Sequence, residues 1–449
     1  MDPTSFRLFS GAAGATESEY FSFRHPVSDI SAPTVDSSGN IYVAYHTYGG
    51  STDIDVVKYN KQGSVLWARR LSQAVANSLY FDSCVLDSSG NFYLSGGVYR
   101  SSRNFMVVVK FNSSGTLQWA RELGNATGNE VIPGERNAID VDSSGNVYVG
   151  GYIRDPSTFL SKAFYAKWNS SGTLQAQESF GVSSILSGTQ NKINSVDASG
   201  SFPVFVGIND VSGSPRAYII QFSSGSGATA KTINTTYDSN FSDVKVNGTS
   251  IYCSFGKGSL DSRFSFFEFN SSLSIVRQRV LGTSATGNIK SIDIDSSGNI
   301  YATGASNEGN VEGRYDCLIA KWNSSGTIQW SRYFGRKNLD IDETGFKIFH
   351  DNTNSNLWMF NADAVGGTNV PTTGNNTPSL YFPDDGSLTG DITHSVTYKY
   401  QATNLSESAG SFTTSTATAS RTTESFSEGS WGGTSSTISF SGLTVVSQP

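Results

Sequence analysis

One short turn phrase recurs along this chain at a nearly fixed interval, and few folds tolerate such a recurrence. Asp36-Ser37-Ser38-Gly39-Asn40 precedes Ile41-Tyr42-Val43, and Asp87-Ser88-Ser89-Gly90-Asn91 precedes Phe92-Tyr93-Leu94. The phrase returns at Asp142 before Val147-Tyr148-Val149 and at Asp295 before Ile300-Tyr301. Looser copies begin at Asp197, Asn247 and Asp351. The seven starts (36, 87, 142, 197, 247, 295 and 351) are separated by 51, 55, 55, 50, 48 and 56 residues, a steady period with variable loops.

A second phrase keeps step with the first. It reads Lys58-Tyr59-Asn60 with Gly63, Lys110-Phe111-Asn112 with Gly115, Lys167-Trp168-Asn169 with Gly172, and Lys321-Trp322-Asn323 with Gly326. Weaker versions start at Gln221, Glu268 and Tyr381. Four residues after the glycine stand Trp67, Trp119 and Trp330, each followed two positions on by Arg69, Arg121 and Arg332. Asn, Asp, Ser and Gly tolerate left-handed backbone or bond their own main chain, so both phrases predict tight turns. The segments between them are short and rich in β-branched and aromatic residues, as in Val107-Val108-Val109. Four strands per unit, in seven units, predict an all-β chain: a seven-bladed β-propeller over residues 1–390.

The chain ends predict how such a ring closes. The seventh unit runs out of repeat after Tyr381–Leu388, and the N-terminus begins with an unassigned Arg7-Leu8-Phe9 that matches Arg332-Tyr333-Phe334. An N-terminal strand around Arg7–Phe9, hydrogen-bonded in the sheet of Tyr381–Leu388, would close the ring and remove its open edge. The tryptophans are expected at equivalent fourth-strand positions, packed between neighbouring blades. Residues 391–449 shift to a Ser/Thr-rich composition with alternating segments such as Ser395–Tyr400. They are expected to form a small β tail, an attachment or oligomerisation module that borrows burial from the propeller or from another subunit, because so few large apolar residues make a marginal core.

The two phrases together resemble the SBBP-type propeller repeats of bacterial and phage proteins; the units starting at 36, 87, 142 and 295 carry the pattern in full. That resemblance implies a fold and no particular activity, its members including surface, secreted and virion proteins. The combination of propeller and low-complexity β tail resembles the structural proteins of tailed-phage virions. At the N-terminus, Met1 to Arg7 offers neither a basic nor an apolar region of a secretory leader, so export is not expected.

Catalytic signals are sparse. The histidines His25, His46, His350 and His394 share no spacing, and no nucleophile elbow or phosphate loop appears. Cys84, Cys253 and Cys317 stand far apart, as separate small core residues do. One carboxylate per turn phrase is few for calcium, so neither metal nor cofactor is expected. Charged residues make up 15% of the chain with a net charge of −7 and no blocks, which argues against a nucleic-acid partner or an anionic membrane surface. No stretch is long enough to insert in a bilayer as a helix.

In a four-stranded blade the two repeated turns share one face, and the variable loops share the other. Tyr48, Tyr99, Arg100, Arg154, Arg314, Tyr315 and Arg336 on those loops are the candidate binding residues. The resulting expectation is a non-enzymatic virion structural or recognition protein of a tailed bacteriophage: a tail fibre, tail tip or capsid-surface component. Its partners would be other virion proteins, through the tail, and a host surface glycan or protein; a homo-oligomer is compatible with this. A secreted or surface bacterial binding protein is the second reading. A quinoprotein-type enzyme is the third, and it would require inward-facing polar ligands that the sequence pattern does not assemble.

Overall fold

In the computed structural model the chain is all-β, arranged in antiparallel sheets consistent with a propeller-like fold. It describes residues 5–9, 20–23, 30–46, 53–61, 63–72, 78–124, 128–134, 137–181, 190–211, 214–222, 228–234, 239–257, 264–282, 287–307, 315–336, 342–364, 379–387, 390–393, 397–402, 407–409, 413–418, 420–423, 428–430, 434–437 and 444–447. From 390 onward, in the strands before 33 and at some strand ends, only the backbone is described. Among the described residues no helix is long and apolar enough to cross a membrane.

Each sequence unit is an antiparallel meander. The first is Ile30–Val35, Ile41–His46, Asp53–Tyr59 and Val65–Ser72; the second is Ser78–Leu86, Phe92–Arg100, Arg103–Phe111 and Leu117–Leu123. In the third the first strand is split into Glu130–Pro133 and Ile139–Val141, both paired with Val147–Arg154, before Ser161–Trp168 and Leu174–Gly181. The fourth runs from Gln190–Asp197 to Ala228–Asn234, the fifth from Ser239–Asn247 to Ile275–Leu281, and the sixth from Gly287–Ile294 to Ile328–Arg336. The seventh contributes Asp342–Asp351, Asn356–Ala364 and Ser379–Pro383.

The two phrases form the same turn. Gly39 N–H donates to the Asp36 carbonyl at 2.9 Å, and Asp36 Oδ1 accepts from Ser38 and Asn40 N–H. Gly63 likewise donates to the Asn60 carbonyl, and Asn60 Oδ1 accepts from Ser64 N–H. Both glycines take positive φ, +77° and +82°, where a Cβ is penalised. The two turns then cooperate across the sheet. Tyr93 donates its hydroxyl to Asp87 Oδ2 at 3.0 Å while Lys110, from the neighbouring strand, sits 5.0 Å over the Tyr93 ring. Tyr42 with Asp36 and Lys58, Tyr148 with Asp142 and Lys167, and Tyr301 with Asp295 and Lys321 repeat the arrangement.

The core lies between consecutive meanders. Trp67, Trp119 and Trp330 are buried at 9%, 8% and 9% exposure, in equivalent fourth-strand positions. Each leans on the next unit: the indole N–H of Trp67 donates to the Ser113 carbonyl at 3.1 Å, that of Trp119 to Ser170 at 3.2 Å, and that of Trp330 to Asp384 at 2.9 Å. Arg69 and Arg121 follow, donating to the carbonyls of Gly115 and Gly172. A further apolar cluster joins Ile41, Val43, Val57 and Tyr59 of the first meander to Phe346, Trp358, Phe360 and Tyr381 of the last.

The pairing makes two sequence expectations more specific. Ser5–Phe9 lies in the sheet of Ser379–Pro383, as expected, but one place further out: Tyr20–Phe23 pairs with Ser379–Pro383 directly and Ser5–Phe9 pairs with Tyr20–Phe23. The aromatic Tyr20-Phe21-Ser22-Phe23 suits an interior strand better than Arg7-Leu8-Phe9, which is better suited to the outer place. The tail strands pair one by one with the outer strands of the meanders. Thr397–Ala402 pairs with the outer strand of the sixth meander, Glu407–Ala409 with the fifth, Thr413–Thr418 with the fourth and Ser420–Thr423 with the third. Glu428–Ser430 then pairs with the second, Thr434–Thr437 with the first, and Thr444–Ser447 with Ser5–Phe9. Short Thr/Ser strands lack an apolar face of their own, so they add to edges that already have one.

Candidate axial site

The first strands of successive meanders lie side by side, and that of the seventh reaches that of the first. Most carry a bulge at one level, as between Phe81 and Ser83, Phe241 and Asp243, Ile289 and Ser291, and Gly345 and Lys347. A bulge re-aims the residues that follow it, and here they are polar: Ser83, Ser195, Asp243, Ser291 and Lys347, all buried. Two residues further along come Asp140, Asp197, Lys245 and Asp293; Asp197 is buried and the others are half-buried.

These side chains stitch neighbouring strands together. Ser195 Oγ accepts from Val244 N–H, Asp243 Oδ2 from Ile292 N–H at 3.1 Å, and Ser291 Oγ from Ile348 N–H. At the outer level Asp140 accepts from Ala198 N–H at 2.7 Å, Asp197 from Val246 N–H at 2.8 Å and Asp293 from His350 N–H at 2.7 Å. Ser195 and Ser291 both donate to the Asp243 carboxylate, at 3.1 and 3.0 Å. Asn137 spans non-adjacent units: its amide N–H group donates to the Ser242 carbonyl and its oxygen accepts from Lys347. The first strands therefore converge on a common polar centre.

The electrostatics are uneven. Burial, and then the nearby Asp197 charge, push the Asp140 carboxyl up to about 7. Burial also raises Asp293. Burial alone would lower Lys245, but Asp243, Asp293, Asp197 and Asp140 together hold its ammonium charged, above the ordinary lysine value. Yet no ion pair within 4.0 Å engages Lys245 among the described residues. Lys347 is lowered, because its burial outweighs the attraction of Asp243. Burial pushes the Cys84 thiol up to about 12, as an inert core cysteine requires. Ser83 Oγ is buried without a partner among the described residues.

A second cluster lies on the short-turn face, where Asp295, His350 and Asp384 bring donor atoms within 4.8 Å of one another. Its oxygens are already engaged. Asp384 Oδ2 accepts from Tyr301 at 2.6 Å, stands 2.8 Å from His350 Nε2 and 3.3 Å from the Lys321 ammonium, and Asp295 Oδ2 accepts from Asn299 and lies 3.0 Å from the Tyr301 hydroxyl. Burial would raise Asp384, but the His350 and Tyr301 hydrogen bonds and the Lys321 charge outweigh it and hold the carboxyl at about 2. With an ammonium inside it, this is an internal ion-pair network more than a cation site.

The loop residues named from sequence are placed as follows. Tyr48 and Arg314 lie outside the described residues, and for Arg336 only the backbone is described, paired with Tyr398. Tyr315 is half-buried at the head of Asp316–Trp322. Tyr99 is half-buried and pairs with Asn104. Arg100 forms an ion pair with Glu122 and covers the Phe105 ring at 4.3 Å, and Arg154 pairs with Glu130 at 2.7 Å. Glu130 also accepts from Asn104, so Tyr99, Arg100 and Arg154 are brought to one edge, with both guanidinium charges already neutralised. Sequence reasoning missed the axial residues. Their signal was a fixed offset, Asp243 and Lys245 four and two residues before Asn247, Ser291 and Asp293 at the same distances before Asp295.

No family model matches this chain, and no curated protein matches it. Among solved structures it is similar to a europium-containing methanol dehydrogenase, with a TM-score of 0.33, 9% identity, and coverage of 81% of this chain and 88% of that one. A likeness this weak carries no argument about activity. The expectation of a non-enzymatic virion component draws no support from the comparison, in which the similar structure is a dehydrogenase. The inward-facing polar groups that the sequence pattern did not assemble are also present, around Asp243 and Lys245.

Proposed function

We propose that the chain is a closed seven-bladed propeller and that it works as a binding protein through the outer mouth of its axial channel. The apolar cluster joining the first and last meanders supports closure, as do the Asn137 contacts across units. The contacts that tie each first phrase to its second support a repeat of the SBBP type. One observation carries the function: Lys245 is held charged in the field of four carboxylates without touching any of them. A finished structural ion pair is in contact; a separated, half-buried charge leaves room for a ligand.

The ligand that fits offers an anionic end to Lys245 and an ammonium to Asp140 and Asp293, which describes a small zwitterion such as a free amino acid. Catalysis is not part of this reading, since Ser195 and Ser291 share Asp243 with no imidazole beside them among the described residues. Binding should tighten as pH rises through about 7, because Asp140 then ionises. Thermal shift against a panel of amino acids tests the reading. The wild type should be stabilised by at least one of them and Lys245→Met by none. A wild type that none stabilises, with a more stable Lys245→Met, would make the cluster purely structural.

A further inference from the structure

The repeat sets its own standard for a boundary between units. At three boundaries a fourth-strand indole fills the space against the next unit's turn. A Cβ at Gly115 would lie 2.6 Å from the Trp67 ring, one at Gly172 2.8 Å from Trp119, and one at Gly386 2.6 Å from Trp330. Between the fifth and sixth meanders Arg277 takes the same place, donating to the Ser324 carbonyl at 3.1 Å beside Gly326.

The boundary between the third and fourth meanders has Ala176 in the indole's place but keeps Lys167 and Tyr148 beside it; the boundary between the fourth and fifth departs further. Lys58 pairs with Trp67 and Lys110 with Trp119; the matching pair is Gln221 with Thr229. Tyr42, which pairs with Lys58, is matched by Val204. Three large side chains are thus replaced by smaller ones at a single boundary. The turn opposite has changed as well: Leu273 stands where the others have glycine, donating its N–H to the Asn270 carbonyl at a φ of +55°. Its side chain is buried among Phe267 and Phe269, so it fills the part of the space nearest the turn. The Ser271 carbonyl, equivalent to the Ser113 carbonyl that receives the Trp67 indole, accepts no hydrogen bond among the described residues.

What remains is a cleft of about 350 Å³, lined by Phe202, Gln221, Phe222, Thr229, Ile251 and Ser271 among others. Phe202 stays 38% exposed at its edge. We propose that this cleft binds a planar aromatic ligand with an N–H donor on its edge, an indole-like heterocycle, in the position that the chain's own tryptophan holds elsewhere. Apolar walls from Phe202, Phe222 and Ile251 suit a ring face, and the Ser271 carbonyl supplies the acceptor that three other indoles already use in the same turn geometry. A cavity of this size is at the small end of ligand pockets, which begin at about 300 Å³.

The test titrates the full chain with indole, read by calorimetry and by amide chemical shifts. Saturable binding is expected, with shifts centred on Thr229, Ser271 and Thr249. Thr249→Arg places a long side chain on the exposed cleft rim and should lose binding without lowering the melting temperature. The double variant Thr229→Trp, Leu273→Gly rebuilds the missing contact and should melt higher and no longer bind. If indole shows no saturation up to its solubility limit, or binds Thr249→Arg as tightly as wild type, the proposal is overturned. Should the double variant fail to fold, Thr249→Arg alone decides.

Discussion

If indoles and glycines lock the meanders together, Trp119 and Gly172 must be energetically coupled. Trp119 is 8% exposed, so Trp119→Ala removes a nearly complete burial and should cost about 3–5 kcal/mol. Gly172→Ala acts through two separate terms. Its φ of +79° penalises any Cβ by about 1–2 kcal/mol. The new methyl would also stand 2.8 Å from the ring, and relieving such overpacking costs about 1–3 kcal/mol more. Once the indole is gone the second term vanishes, while the backbone term and any change in the unfolded chain persist. Gly172→Ala should therefore be milder in the Trp119→Ala background, with a coupling of about 1–3 kcal/mol. Urea unfolding followed by far-UV circular dichroism, checked for coincidence with fluorescence of the remaining tryptophans, measures all four corners of the cycle. Equal costs of Gly172→Ala in both backgrounds would refute the contact.

Three further outcomes follow from the structure. Deleting residues 390–449 strips the added strands from Val65–Ser72, Leu117–Leu123 and the other outer edges, so the meanders should persist but self-associate with rising concentration; sedimentation showing only monomer would refute that role for the tail. Asp384 is held at about 2, so its contribution is present above the ordinary carboxylate range and is lost as pH falls toward that value. Asp384→Asn should therefore destabilise at neutral pH by on the order of 2 kcal/mol, with the gap to wild type closing in acid melts. Asp140 has the opposite sign: its raised value makes the folded state hold a proton that the unfolded chain releases, so stability declines between about pH 4 and about 7. Asp140→Asn should flatten that part of the pH–stability curve, and an unchanged slope would place the titration elsewhere.

The meanders were legible because their turns are local chemistry. Asp36 organises Ser38 and Asn40 within five residues, and no distant partner is needed. The tryptophans were legible for a related reason, a large apolar residue at a fixed distance from a glycine that must stay small. The sheet that takes Arg7–Phe9 was legible but its place in that sheet was not, because Arg7–Phe9 and Tyr20–Phe23 both read as short strands and only tertiary pairing ranks them. For the tail, dependence on a neighbour was legible and the neighbour was not. A strand such as Thr413–Thr418 has the composition of an edge and nothing that names its partner; the identity of that edge lies nearly two hundred residues away, at Ala228–Asn234. The axial residues were hidden by dispersion, one or two per unit. In the fourth unit the offset also breaks, since the link from Asp197 to Val204 is longer than that from Val35 to Ile41, moving Ser195 and Asp197 out of step.

The cleft falls between units that depart from the repeat, and there is a physical reason for that; the axial centre also draws Asp140 and Asp293 from the regular units starting at 142 and 295. Where Asp, Tyr and Lys, or Trp and Gly, are engaged in holding meanders together, as in the units starting at 36 and 87, they have no capacity left for a ligand. The fifth unit lacks that full set and holds its place by other means: Asp243 accepts from the next strand, Arg277 substitutes for an indole, and Leu273 accepts a strained backbone to fill a void. Strand alternation then separates the two sites within a single element. On Ser239–Asn247, Lys245 faces the axial carboxylates while its neighbour Val246 lines the cleft, and Val246 N–H is held by Asp197 at 2.8 Å. One peptide link therefore carries both sites on opposite faces, so a ligand that shifts Val246 in the cleft must strain the Asp197 hydrogen bond at the axis.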